Sequence, residues 1–93
     1  MNDASILASL KIDLQISSSA LDSYLLDLIG AAKEYISTEG VTLADTVGDS
    51  ELIEMYSAYL YRQRRGEAKS MPRMLRWALN NRLISEKGRV GNG

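Results

Sequence analysis

Leu21, Leu25, Leu28, Ala32 and Ile36 recur at spacings of four and three. At 100° per residue they fall on one stripe, which Ile29, Tyr24 and Tyr35 widen, while Asp22 and Asp27 lie on the other side. The pattern predicts an amphipathic helix from about Ala20 to Ser37. Gly40 is its natural stop, because glycine tolerates the left-handed conformation that ends helices. A helix with a single apolar stripe has to bury it against other elements, so the rest of the chain must supply partners of the same kind.

Three further helices are predicted. A short one runs from about Asp3 to Leu10, capped by Asn2 or Asp3, with Ile6, Leu7 and Leu10 on its apolar side. Lys11-Ile12-Asp13 and a polar stretch ending in Ser17-Ser18-Ser19 follow, and any of these serines can accept a backbone N–H at the next helix start. Residues 41–48 read as a loop. Asp49 or Ser50 is expected to cap the third helix, with Glu51 and Glu54 at its positive end and Arg62, Arg64 and Arg65 at its negative end. Gly66 ends it. The last helix starts at Ser70-Met71-Pro72, where proline has no N–H to waste, and runs to about Ser85. No strand-like alternation or internal repeat appears. The expected fold is all-α, a single small bundle-like domain of about four helices over residues 1–87, with a flexible tail over 88–93.

The 93-residue chain has 45% apolar and 25% charged residues, the balance of an ordinary globular domain. Cysteine and histidine are both absent. Disulfides, Cys/His zinc sites and His-dependent nucleophilic triads are therefore excluded. The start, Met1-Asn2-Asp3-Ala4, does not resemble a signal peptide, and no apolar run reaches the roughly 20 residues that span a bilayer. There is no Gly-rich phosphate loop, and the acids around Gly48 lack the calcium-loop pattern. Glu51 and Glu54, three apart, are better explained as first-turn acids complementing the helix dipole than as a shared proton or metal site. No catalytic residue, metal site or cofactor is expected, and a carboxylate-based enzyme is only a remote reading.

The net charge of −1 conceals a polarity. Residues 1–54 carry ten acids against two bases, a net of −8, and residues 62–93 carry nine bases against two acids, a net of +7. A bipolar subunit can stack on copies of itself, or offer its basic end to nucleic acid. The alternative is two solvated faces that cancel within one fold.

Helical projection adds a second sign of association. On the third helix Leu52, Ile53, Met55, Tyr56, Tyr59 and Leu60 cover an arc of roughly 160°, with Tyr61 opposite, near arginines. On the last helix Leu75, Ala78, Leu79 and Leu83 make one apolar stripe, and Met74, Trp77 and Ile84 make a second one roughly opposite. A monomer this small can usually cover only one of them. The Trp77 side is expected to meet a neighbouring subunit, unless the first helix or the 41–48 loop folds over it. Candidate interface residues are Tyr61, Arg62, Arg64, Arg65, Arg73, Met74, Arg76, Trp77 and Ile84. Arg62, Arg64, Arg65, Lys69, Arg73 and Arg76 also make a cluster able to neutralise phosphates. Specific base reading is not expected, because Trp77 and Ile84 sit where base-reading side chains would be.

These segments resemble a known family. Ile6-Leu7-Ala8-Ser9-Leu10-Lys11-Ile12-Asp13 looks like the opening of the head–tail connector proteins of tailed bacteriophages. Leu25-Leu26-Asp27-Leu28-Ile29-Gly30-Ala31-Ala32-Lys33-Glu34-Tyr35-Ile36 resembles that family's second helix. Tyr59-Leu60-Tyr61-Arg62-Gln63-Arg64-Arg65-Gly66 resembles its third-helix ending, and Met71-Pro72-Arg73-Met74-Leu75 its Pro-initiated last helix. The likeness spans roughly residues 6–84 and consists of packing patterns. It departs where the family often carries an acidic or Asn residue between Tyr and Arg and this chain has Arg62-Gln63.

The resemblance implies a non-enzymatic structural subunit of a phage or prophage connector. This is a homo-oligomeric ring beneath the portal that extends the DNA channel and carries the next head-completion or tail protein. The implied partners are itself, the portal protein, that next protein, and DNA passing without sequence-specific contact, with no membrane. The implied location is the virion, after assembly in the host cytoplasm. The alternative function is a small, basic-ended, helical nucleic-acid-binding protein.

Overall fold

Four helices form in the order expected: α1 (Asp3–Leu14), α2 (Asp22–Thr38), α3 (Val47–Arg64) and α4 (Arg73–Gly91). The computed structural model describes residues 2–91, with side chains described through Glu86. Among the described residues there is no strand, and the four helices build one small all-α domain. No helix among them is long and apolar enough to cross a membrane.

α1 is four residues longer than the sequence predicts. Asn2 caps it, its side-chain oxygen accepting from Ala4 N at 2.9 Å and Ser5 N at 3.4 Å. The helix then passes through Lys11-Ile12-Asp13 and ends where Gln15 takes a left-handed conformation, φ +60°. Gln15 N donates to Ile12 O at 3.1 Å and Ile16 N to Lys11 O at 2.8 Å, which satisfies the last carbonyls without a glycine. Ile6 and Leu10 enter the core.

α2 buries the predicted stripe, with Leu25, Leu28, Ile29, Ala32 and Ile36 all fully enclosed. Leu21 precedes the first turn and stays partly exposed, and Tyr24 and Tyr35 lie at the edge of the stripe. Gly40 (φ +109°) turns the chain out of the helix, where an added Cβ would also approach the Leu83 side chain at 3.3 Å.

α3 is the central element and packs against each of the other three helices. Leu52, Ile53, Tyr56 and Leu60 are buried as expected, and so are Ser57 and Ala58, which widens the enclosed face. The Ser57 hydroxyl donates to Ile53 O at 2.8 Å, so its burial leaves no open donor. Tyr56 stacks on Tyr35 of α2 at 5.9 Å and meets Tyr59 edge-on at 5.9 Å. The start of α3 corrects the expected cap. Thr46, not Asp49 or Ser50, is the N-cap, its hydroxyl accepting from Asp49 N at 3.1 Å.

Asp49 is thereby free for another role. Its buried carboxylate accepts from Ala44 N on one oxygen and from the Arg82 guanidinium on the other. Arg82 also donates to Thr42 O at 3.1 Å, and Glu86 accepts from Thr42 N at 2.8 Å. The late turns of α4 thus clip the α2–α3 loop to the start of α3, and α4 runs antiparallel to α3. The helix continues past Ser85 to Gly91. Of the predicted flexible tail over 88–93, residues 88–91 belong to α4, and residues 92–93 fall outside the described residues.

Candidate functional site

Eight of the nine candidate interface residues separate into two groups, and the ninth, Arg64, is exposed at the end of α3. Tyr61, Arg62 and Arg65, at the end of α3, are engaged within the chain. The Tyr61 ring turns toward α2, 6.5 Å from the Tyr24 ring, and Arg65 lies 5.3 Å above it. Arg65 also pairs with Glu67 at 3.0 Å. Arg62 faces α1, with its guanidinium 3.8 Å from Asp13. Sequence periodicity placed Tyr61 opposite the packed arc of α3, but that surface is where α2 passes, so the ring is half-buried.

Arg73, Met74, Arg76, Trp77 and Ile84 are exposed together on α4. Leu75 and Leu79 are buried against the body of the domain. Helical geometry then turns Arg73, Trp77, Asn80 and Ile84 outward, with Met74 and Arg76 on either flank. Met74 is 71% exposed, Trp77 65% and Ile84 68%. Neither α1 nor the 41–48 loop covers this face. Among the helices, α4 rests mainly on α3, and nothing among the described residues covers its outer side. A shallow cleft of roughly 590 Å³ adjoins the face, lined by Ser70, Pro72, Arg73, Arg76, Trp77 and Asn80.

The fold redistributes the charges. Lys11 pairs with Asp22 at 2.7 Å, Lys33 with Asp3 at 2.5 Å, Arg62 with Asp13, Arg65 with Glu67, and Arg82 with Asp49 and Glu86. Arg64, Lys69, Arg73 and Arg76 are exposed and form no ion pair among the described residues. The sequence polarity is therefore partly cancelled inside the fold, and the uncancelled positive charge includes both arginines of the outer α4 face.

A second cleft, of roughly 740 Å³, opens between α1 and the first half of α3, with Ser5, Ile6, Val47, Glu51, Glu54 and Met55 among its walls. Glu54 is half-buried there. Burial, then a hydrogen bond with Asp13 and the charge of that group, push its carboxyl up to about 7. Arg62 opposes this and Glu51 adds to it. The sequence paired Glu54 with Glu51 along one helix. The structure pairs it instead with Asp13 across the α1–α3 seam, because α1 extends far enough to bring Asp13 there. No cluster of metal-ligating residues occurs among the described residues. Comparison with known families, with curated proteins and with solved structures gives no match to this chain.

Proposed function

We propose that this chain is a structural subunit of a phage or prophage head–tail connector, assembling as a ring beneath the portal and carrying the next head-completion or tail protein. One observation carries the reading: α4 presents Met74, Trp77 and Ile84 to solvent on a side that nothing among the described residues covers. Large exposed apolar side chains grouped on one helix face, rimmed by arginines, have the composition of an interface core. The residue patterns shared with the connector family supply the identity of the assembly, and a scaffolding role needs such surfaces rather than an active site.

Light scattering coupled to size-exclusion chromatography tests this, over a concentration series at low and moderate salt. A discrete species of many subunits is expected. A chain that stays monomeric at every concentration, alone and with portal protein, overturns the proposal.

Arg73 and Arg76 beside Trp77 also favour a second reading, contact with nucleic acid. Among the described residues, four cations near this end, Arg64, Lys69, Arg73 and Arg76, form no ion pair. The expected log–log salt slope for duplex DNA is therefore near −3 to −4, shallower than the full cluster of six would give. Absence of binding at low salt removes this reading.

A further inference from the structure

We infer that the outer face of α4, centred on Trp77, docks into the cleft between α1 and the start of α3 on a second copy of this chain. The inference rests on the subunit reading above and names the surface that receives Trp77. At roughly 740 Å³ the acceptor cleft lies within the size range of clefts that take a bound group. Ile6 and Met55 give it an apolar floor, and Val47 stands at its edge 77% exposed. Glu51 adds negative charge, joined by Glu54 once its proton is released above about 7, and no basic side chain among the described residues lines the cleft.

The donor face has the opposite charge on a similar apolar base. Trp77 and Met74 supply the apolar part and Arg73 and Arg76 the positive part, and no acidic side chain lines the adjoining cleft. Donor against donor would oppose arginines, and cleft against cleft would oppose glutamates. Donor against cleft satisfies both the apolar and the charged groups. The two surfaces share no residue and belong to different helices, so one copy can offer both at once. A contact of that kind is head-to-tail. It propagates into a ring or a filament rather than closing as a twofold dimer.

The experiment is light scattering on the full chain and three variants: Arg73→Glu with Arg76→Glu, Glu51→Lys with Glu54→Lys, and all four changes together. Thermal melts check that each is folded. Val47→Lys supplies a cleft variant that opposes the donor arginines and leaves the Asp13–Glu54 pair intact. Either reversal is expected to raise the concentration at which association is half-complete by about tenfold or more. The four-change chain, whose charges are again complementary, is expected to associate as the native one does. If a cleft reversal and Val47→Lys leave association unchanged, the inference falls while the subunit reading stands. Failure of the four-change chain to recover also overturns it. A native chain that never associates overturns both. Loss of duplex DNA binding on donor reversal, with self-association intact, would assign the α4 face to nucleic acid instead.

Discussion

The Asp13–Glu54 pair sets a pH dependence on the seam between α1 and α3. Glu54 holds its proton up to about 7 in the folded chain and releases it near 4.5 when unfolded. Between those values the folded state binds more protons than the unfolded one, so stability falls as pH rises through this window. Above it the seam carries a second, partly desolvated negative charge. Glu54→Gln keeps the hydrogen bond to Asp13 and removes that charge. Its melting temperature should match the native chain at pH 4 and exceed it at pH 8, by an amount corresponding to about 1 kcal/mol once solvent screening is allowed for. An equal offset at both pH values would show that the ionisation is not coupled to folding. None of this was legible in the sequence, where Glu51 stands nearer along the chain. The partner became reachable because Gln15 adopts a left-handed conformation and lets α1 run to Leu14, and glutamine gives no signal for that as glycine does.

At the scale of elements, α4 is held by two devices of different visibility. Leu75 and Leu79 were readable as a stripe of helical period, and both are buried. So was the core of α2, because a period sustained over four turns outweighs local ambiguity. The clip made by Arg82 was not readable. Asp49 and Arg82 are 33 residues apart, and Asp49 looked like a cap because it lies next to a helix start. The cap is Thr46, which frees the Asp49 carboxylate to bind the loop and α4. Arg82→Met should strand that carboxylate with only the Ala44 N–H. The expected loss is about 2 kcal/mol, below the usual range for a buried pair because Arg82 is 32% exposed. A fall of roughly 10 °C in melting temperature follows for a domain of this size. Adding Asp49→Asn should recover most of it, since no buried charge then remains unpaired. If the double variant is no more stable than the single one, the clip is a packing contact rather than an ionic one.

Across the whole molecule, the sequence polarity predicts more free charge than the fold leaves. Three of the arginines in the basic segment are spent on Asp13, Glu67 and Asp49. What remains for a partner is local: Arg73 and Arg76 around an apolar centre on α4, with Glu51 and Glu54 around an apolar floor beside α1. Charges placed this way act mainly by steering and register, and an apolar centre does not respond to salt as its rim does. Trp77 is the one tryptophan in the chain, so its fluorescence reports on that centre alone. Association should therefore shift Trp77 emission to shorter wavelength at any ionic strength. Raising salt from about 0.05 M to about 0.5 M should move the association midpoint to a several-fold higher concentration, as the screening length drops below the spacing of the rim charges. Assembly that proceeds with Trp77 emission unchanged would place the subunit contact elsewhere on the surface and leave the α4 face for the portal, the tail side or DNA.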